Sequence, residues 1–322
     1  MEKISLTRER RVEEALFRGD ALQLSNARYR SAVRKLTQIL LEGDRASTDL
    51  TAKALGIKEG HIRAAVITQQ GGTAAGLEEF GFLLEGCGIQ VVAEKHDGDV
   101  MAPGDILLHA EGRERKLLAL ERVGLNLLQR MSGIATAARC LGERAERCGG
   151  RARVVGTRKT PWGLLDKRAL HLGGAGTHRL GLGDAILIKN NHLALLRTTE
   201  PKAASLAIER AWKARRAAAF IEIEVREEAA ARAAAETFRR LREQTQEEYP
   251  CLVLLDNMTP AQIGTIVEMF QRENLWDHVL IEASGGISET NIEAYVATGV
   301  DALSVGALTH SARALDICLR IS

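Results

Sequence analysis

The segment from Arg151 to His192 concentrates positive charge that the rest of the chain does not carry. It holds eight Lys or Arg and three His against two Asp, although the 322-residue chain has a formal net charge of only +2. Glycines interrupt the segment repeatedly. A confined cluster of cations among glycines is typical of a site for a small polyanion, whereas nucleic-acid-binding proteins more often spread basic residues over a whole domain. The sequence therefore predicts recognition of a small, multiply charged anion.

Six short runs rich in Val, Ile and Leu are the elements that must position these cations. They lie in the second half of the chain, at residues 151–157, 185–189, 220–225, 251–256, 279–284 and 301–306. Helical stretches separate most of them, at residues 201–219, 227–247, 259–274 and 289–298. Strands that alternate with helices predict a parallel sheet. Six such units favour a closed or nearly closed α/β barrel over the main competitor, a doubly wound open sheet.

Charged and small polar residues stand where these predicted strands end. In chain order they are Arg158 and Lys159, Lys189, Glu222 and Glu224, Asp256 and Asn257, Glu282 and Ser284 with Gly285 and Gly286, and Gly306. Barrel enzymes place their chemistry at the carboxyl ends of the strands. A carboxylate in an apolar strand is costly unless it is paired or hydrated. Each residue alone could simply be a strand-end charge that reaches solvent, but the set predicts a single site.

Two glycine-containing turns, SGGI at 284–287 and SVGALTH at 304–310, follow the last two predicted strands and lead into helices. Backbone N–H groups at the start of a helix bind phosphate well, and barrel enzymes often hold a phosphate at their last two loops. An ordinary tight turn is the alternative interpretation of either segment. The residues GGAGTHR at 173–179 place His178 and Arg179 beside glycines, which suits close approach to an anion.

The first half of the chain predicts a different kind of domain. A helix is expected over residues 29–43, short strands over 62–70, 89–95 and 106–112, and a long amphipathic helix over 116–148, in which Gly124 and Gly133 mark a break or a close contact. We predict an N-terminal extension at 1–28, an α+β sandwich domain at 29–120 and the barrel at 121–322. A C-terminal helix is expected to pack back on the N-terminal domain.

Composition excludes several classes of protein. The apolar content of 45% and the charged content of 27% are ordinary for a soluble globular chain. The nearly balanced charge gives no global field for nucleic acid or for a membrane, and no apolar run reaches the 18 residues of a membrane span. Five scattered cysteines form no metal-ligand pattern and suit a reducing compartment. We expect a cytoplasmic protein that binds neither nucleic acid nor membrane.

Several segments together resemble the quinolinate phosphoribosyltransferase family, also called carboxylating nicotinate-nucleotide pyrophosphorylases. They are TRKT at 157–160, the GG–HR–LIK–NH pattern at 173–192, Glu222 with Glu224, LLDNM at 254–258, EASGGI at 282–287 and SVGALTHS at 304–311. The similarity extends over roughly residues 30–322, in the family's order. The resemblance implies an N-terminal sandwich domain, an incomplete TIM-like α/β barrel, and a homodimer whose active sites borrow residues from the partner, with a higher oligomer left open.

The resemblance also implies roles for particular residues. The quinolinate carboxylates would be bound by Arg158, Lys159, His178, Arg179 and Lys189, with Arg122 reaching across from the other subunit. Glu224 and Asp256 would hold the ribose hydroxyls and, indirectly, a Mg²⁺ ion on the pyrophosphate. The 5′-phosphate would be bound by Ser284, Gly285, Gly286, Gly306 and Ala307. The catalytic set would be Lys159, Lys189, Glu224 and Asp256, acting mainly by electrostatics.

The chain departs from the family pattern around the substrate loop. Gly156 stands where the family has Asp, the loop after Thr160 is about two residues shorter, and Asn190 replaces an Asp. A related phosphoribosyltransferase acting on another acidic aromatic base, such as the molybdenum-transport-associated relative, is therefore the nearest alternative. A Schiff-base barrel aldolase that uses Lys189 is a second alternative, because such lysines end barrel strands. A non-catalytic anion-binding or nucleic-acid module is the third.

Overall fold

A computed structural model describes residues 7–321 of the chain. Its internal contacts divide these residues into two compact units. The barrel unit consists of residues 7–18, 141–159 and 175–307, and the sandwich unit of residues 19–140, 160–174 and 308–321. Within residues 7–321, no helix combines the length and the apolar character needed to cross a membrane.

The strands of the described chain are β1 (His61–Thr68), β2 (Gly72–Thr73), β3 (Gln90–Ala93), β4 (Val100–Met101), β5 (Ile106–Arg113), β6 (Arg153–Val155), β7 (Ile186–Ile188), β8 (Ile221–Val225), β9 (Cys251–Asp256), β10 (Leu280–Ser284), β11 (Ala302–Ser304) and β12 (Ile317–Ile321). The helices are α1 (Arg8–Leu16), α2 (Ala27–Asp44), α3 (Leu50–Ala54), α4 (Leu77–Gly86), α5 (Glu114–Arg147), α6 (Leu164–Leu172), α7 (Asn190–Ala194), α8 (Glu200–Lys213), α9 (Glu228–Thr245), α10 (Pro260–Arg272), α11 (Ile292–Val296) and α12 (Ala307–His310). Short 3-10 turns lie at Gly19–Ala21, Ala46–Thr48, Arg215–Ala217 and Trp276–His278.

The barrel unit is built on a six-stranded parallel sheet in the order β6-β11-β10-β9-β8-β7. Each of these strands coincides with one of the six predicted apolar runs, so that prediction is confirmed. The register places Ser284 beside both Asp256 and Ser304, which aligns the carboxyl ends of β9, β10 and β11. The α/β class is likewise confirmed, with α8, α9 and α10 at the predicted helical stretches.

Helix α1 forms part of the hydrophobic core of the barrel unit. Its buried face consists of Val12, Ala15 and Leu16, and the side chain of Thr7 caps it by accepting a hydrogen bond from the N–H of Arg10. That face packs against residues near the amino ends of β7, β8, β9, β10 and β11, and against the end of β6. Burying Val12 and Leu16 stabilises the fold by roughly 2 kcal/mol each. The segment predicted as a simple extension therefore contributes Val12, Ala15 and Leu16 to the core of the barrel unit.

The sandwich unit contains a four-stranded antiparallel sheet in the order β12-β1-β5-β3. The predicted C-terminal helix is wrong, because residues 317–321 form strand β12, in which Ile317 is buried and Ile321 is exposed. Strand β12 pairs antiparallel with β1, and Ala64 faces Ile321. The predicted strands in the first half correspond to β1, β3 and β5.

The long helix predicted from residue 116 is α5, and it is continuous over 34 residues. Gly124 lies against the ring of Phe80, and Gly133 lies against the backbone carbonyl of Arg313, so a β-carbon at either position would clash. Both glycines thus mark close contacts, not breaks in the helix. The predicted domain boundary near residue 120 falls inside α5, and residues 114–140 of this helix belong to the sandwich unit.

Candidate active site

A cavity of about 300 Å³ lies at the carboxyl ends of the strands in the barrel unit. Its lining contains eight of the predicted site residues, namely Arg158, Lys159, His178, Arg179, Lys189, Glu224, Asp256 and Ser284. Thr157, Leu187, Leu254, Glu282 and Ser304 complete the lining. The volume is that of a pocket for one small ligand. The structure thus brings together the cations and carboxylates that the strand ends predicted.

The cationic segment that first indicated the site is divided between two roles. Arg158, Lys159, Arg179 and Lys189 line the cavity. Arg153 stands at the opposite end of β6, where it pairs with Glu13 of α1 at 3.6 Å. Lys167 and Arg168 are buried in α6 of the sandwich unit. There Arg168 pairs with Glu78 at 2.8 Å and with Glu79 at 3.0 Å, so part of the charge excess is structural.

The predicted phosphate residues flank the cavity without lining it, apart from Ser284. Gly285 and Gly286 have φ angles of 103° and 63°, which favour glycine, and a side chain at Gly285 would overlap Asn257. Gly306 and Ala307 follow β11, which pairs with β10 so that Ser304 lies beside Ser284. Both glycine turns therefore leave the same edge of the sheet.

Arg122 is exposed on α5, in the part of that helix that belongs to the sandwich unit. Its predicted action across a subunit boundary stays a prediction.

Glu224 is held by two donors from the strand-to-helix junction after β7. Lys189 Nζ lies 3.0 Å from Oε2 of Glu224, and Asn190 Nδ2 donates to Oε1 at 2.8 Å. Asn190 is the residue that replaces the family's Asp, and its amide supplies a donor that a carboxylate could not provide. Because both oxygens of Glu224 are already engaged, this carboxylate suits a contact to Mg²⁺ through water.

Asp256 at the end of β9 pairs with Arg226, whose Nε lies 3.1 Å from Oδ2. The Arg226 side chain is mostly exposed, and its backbone N–H donates to Glu200 at 2.9 Å. The sequence did not identify Arg226 as a partner, because it reads as one of many arginines on solvated helix faces. Glu224 and Asp256 are oxygen donors of the kind that Mg²⁺ prefers.

His178 occupies a left-handed backbone conformation with φ of 53°, which is uncommon for a residue with a side chain. Its ring Nε2 lies 3.0 Å from Glu222 and 3.3 Å from Glu282. Its Nδ1 accepts a hydrogen bond of 2.8 Å from the backbone N–H of Arg179. Burial lowers the pKa of His178, but the charges of Glu282 and Glu222 outweigh it and raise that pKa to about 9, and the proton on Nε2 points at these two carboxylates. A cation at Nε2 would compete with that proton, so the cluster suits hydrogen bonding better than metal binding.

Glu222 and Glu282 are fully buried beside Nε2 of His178. Burial and the nearby Glu282 carboxylate raise the pKa of Glu222 to about 7. Burial acts in the same direction on Glu282, but His178 and a hydrogen bond from Ser304 outweigh it and lower the pKa of that carboxyl. Of the two carboxyls, Glu222 therefore takes up a proton at a higher pH than Glu282 does. The sequence placed Glu222 and Glu282 on barrel strands but assigned neither of them a role.

Arg179 is a buried cation with few contacts. Its side chain is 6% exposed, its Nη1 donates to the Ala185 carbonyl at 3.3 Å, and its Nε has no hydrogen-bond partner among residues 7–321. Burial, and then repulsion by Arg158, lower the pKa of the Arg179 guanidinium. A buried donor without a partner is costly, so this group is arranged for a ligand that carries negative charge.

Replacing Glu222 with Gln is expected to change how stability depends on pH. The pKa of Glu222 is raised from 4.5 to about 7 in the folded state, so the folded protein binds more protons than the unfolded chain between these values. Its contribution to stability is therefore present below pH 4.5 and is lost as pH rises towards 7. The free energy of unfolding of the wild type should fall, relative to Glu222→Gln, by on the order of 3 kcal/mol across this range. Urea titrations of both proteins at several pH values measure this difference in the free energy of unfolding. Profiles of unfolding free energy that run parallel with pH would contradict the prediction.

Comparisons with known proteins identify the family of the chain. The family model of the quinolinate phosphoribosyl transferase C-terminal domain matches residues 134–320, and that of the N-terminal domain matches residues 49–132. The carboxylating nicotinate-nucleotide pyrophosphorylase of Mycobacterium leprae is 35% identical over 305 residues, covering 92% of this chain and 99% of that protein. The human enzyme of the same name is 33% identical over 266 residues, covering 81% of this chain and 83% of that protein.

Among solved structures, that of NadC from Streptococcus pyogenes superimposes with a TM-score of 0.75 at 31% identity. The match covers 90% of this chain and 96% of that one. The two domain models together span well over half of the sequence, and they do so in the order that the motifs indicated. The chain belongs to the quinolinate phosphoribosyl transferase family.

Proposed function

We propose that this chain transfers the phosphoribosyl group of phosphoribosyl pyrophosphate to quinolinate and releases pyrophosphate and CO₂. The product is nicotinate mononucleotide, a precursor in NAD biosynthesis. The observation that carries the proposal is the buried Arg179 guanidinium, which faces the same cavity as Arg158, Lys159 and Lys189. A pyridine dicarboxylate supplies the two negative charges that such a set requires, and arginine binds carboxylates in bidentate fashion.

Another part of the cavity lining suits the phosphoribosyl group. Ser284 lines it, and the turns at Gly285–Gly286 and Gly306–Ala307 leave the sheet beside it, so we assign the 5′-phosphate to these turns. Glu224 and Asp256 would hold the ribose hydroxyls and a hydrated Mg²⁺. When bound, Mg²⁺ would neutralise charge on the departing pyrophosphate.

The chemistry needs no covalent intermediate with the protein. The pyridine nitrogen attacks C1 of the ribose as pyrophosphate leaves, through a transition state with oxocarbenium character. The carboxylate next to that nitrogen then departs as CO₂, because the pyridinium nitrogen stabilises the carbanion that remains, and this carbanion takes up a proton from water to give nicotinate mononucleotide. Lys159 and Lys189 would contribute to both steps through fixed positive charge, which is often the largest catalytic effect. Arg122 would act on the partner's site in a homodimer.

The decisive experiment supplies quinolinate, phosphoribosyl pyrophosphate and Mg²⁺ to the purified protein. We expect stoichiometric nicotinate mononucleotide, pyrophosphate and CO₂, and we expect chelation of Mg²⁺ by EDTA to stop turnover. Nicotinate offered in place of quinolinate should give no product. Turnover with nicotinate but not with quinolinate would contradict the decarboxylating assignment, and turnover with a different acidic aromatic base would favour the related phosphoribosyltransferase.

A further inference from the structure

A buried ion pair holds the first residue of helix α1 against the sheet of the barrel unit. Nε of Arg8 lies 2.5 Å from Oδ1 of Asp301, and its Nη1 donates to the carbonyl of Trp276 at 2.6 Å. Both side chains are buried, and Asp301 also accepts the backbone N–H of Ile281 at 2.7 Å. Because these groups satisfy one another away from solvent, they fix the beginning of α1 on the sheet.

The other end of this segment holds the loop at residues 177–184, which carries His178 and Arg179. The carbonyl of Leu16 accepts the backbone N–H of His178 at 2.8 Å. The guanidinium of Arg18 binds both oxygens of Asp184, at 3.1 and 3.0 Å, and Asp184 in turn accepts the N–H of Leu180 at 2.8 Å. The loop is therefore tied to residues 16–18 at both of its ends.

His178, which makes the first of these contacts, and Arg179, which follows it, are the residues that most need a restraint. His178 has a left-handed backbone, a conformation that persists only where its surroundings impose it. Arg179 holds a buried guanidinium in the cavity wall, where burial and Arg158 both disfavour its charge. A loop without external restraints could relax by turning Arg179 towards solvent. The contacts from residues 16–18 oppose that motion.

We propose that residues 16–18 are a positioning element of the active site, in which Arg18, through Asp184, holds Arg179 in place for the anionic base. This inference rests on the proposed function, because it assigns Arg179 to a substrate carboxylate. Neither Arg18 nor Asp184 lines the cavity, so Arg18 is a positioning residue and not a catalytic one. The segment predicted as an extension without a role thus acts on the base subsite.

The test compares full-length Arg18→Met with Arg18→Lys and with the control Arg10→Met. Arg10 belongs to α1, and within residues 7–321 its side chain makes only an exposed pair with Glu14, so its replacement should change nothing. We expect Arg18→Met to raise KM for quinolinate roughly 10- to 100-fold, because small misplacements of binding groups cost that much. KM for phosphoribosyl pyrophosphate should stay near the wild-type value, and Arg18→Lys should recover part of the loss.

Hydrogen exchange of the amides of His178 and Leu180 gives a second measurement that does not depend on turnover. We expect faster exchange in Arg18→Met and wild-type exchange in Arg10→Met. Unchanged exchange in Arg18→Met overturns the inference, as does faster exchange with an unchanged KM for quinolinate. An equal rise in KM for both substrates also overturns it, since that pattern reports a general loss of structure. If the wild-type protein gives no product from quinolinate and phosphoribosyl pyrophosphate, that result contradicts the proposed function instead. The exchange rates would still show whether Arg18 orders the loop.

Discussion

Arg179→Met is expected to reduce kcat/KM for quinolinate at least about 100-fold while leaving the fold intact. Truncating one partner of a buried, hydrogen-bonded charge pair costs about 2–5 kcal/mol, and every 1.4 kcal/mol is tenfold. Met keeps most of the apolar stem, so the change removes chiefly the guanidinium. Steady-state kinetics with each substrate varied in turn measure the effect.

The same substitution should not lower the melting temperature. Burial and Arg158 disfavour the charge of Arg179, so removing that charge takes away an unfavourable electrostatic contribution to the stability of the folded state. Arg179→Lys keeps a charge but loses the planar fork, and we expect activity between the wild type and Arg179→Met. Arg216→Met is the matched control, because the Arg216 side chain is 85% exposed and its pair with Glu247 lies on the surface. Near-wild-type activity in Arg179→Met would refute the site.

Lys189→Met is expected to reduce kcat at least about 100-fold, which is the typical cost of losing one fixed electrostatic donor in an active site. The ammonium lies 3.0 Å from Glu224, yet 49% of the Lys189 side chain is exposed. Lys189 can therefore contact a ligand in the cavity while it remains paired. Single-turnover measurements of CO₂ release would separate the chemical step from product release.

A double variant distinguishes two roles of Lys189. If its only task is to neutralise Glu224, then Lys189→Met should cost no further activity when it is added to Glu224→Gln, because the carboxylate is already gone. We expect Lys189→Met to lower the residual kcat of Glu224→Gln as well, since Lys189 also acts on the substrate. Asn190 remains a donor to residue 224 in either variant, which limits local rearrangement.

The pairing of Lys189 with Glu224 also argues against the aldolase alternative. A Schiff base would form at Nζ of Lys189, but that atom is already paired with the carboxylate of Glu224 at 3.0 Å. Borohydride added with a carbonyl substrate would trap a Schiff base as a gain in protein mass, and such a gain at Lys189 would favour the aldolase.

Much of the barrel could be predicted because its signals are local. The run at 220–225 is apolar apart from Glu222 and Glu224, and period-two alternation puts both on one face of β8. Strand ends in a parallel sheet meet at one edge, so the sequence alone was enough to group Lys189, Glu224 and Asp256. The glycines after β10 predicted a turn in which glycine is needed, and the positive φ angles of Gly285 and Gly286 agree.

The remaining features depend on contacts between distant parts of the chain. Nothing local in RERRVEEALFRGD distinguishes a core helix from a solvated one, because only Val12, Ala15, Leu16 and Phe17 offer an apolar stripe. Arg18 and Asp184 form an ion pair although they lie far apart in the sequence. No local sequence signal indicates that these two residues are in contact. The residues ICLRI at 317–321 contain no signal that would distinguish a strand from a helix. They form a strand because they pair with β1.

The pairing of β12 with β1 has a consequence for synthesis of the chain. Until the ribosome has added residues 317–321, the edge of β1 that β12 covers presents unpaired N–H and C=O groups from Ala64 to Thr68. Exposed edges of this kind pair readily with other chains. The whole barrel segment must therefore be translated before the sheet of the sandwich unit has all its strands. Aggregation of chains arrested before residue 317 is the hazard that this order of assembly creates.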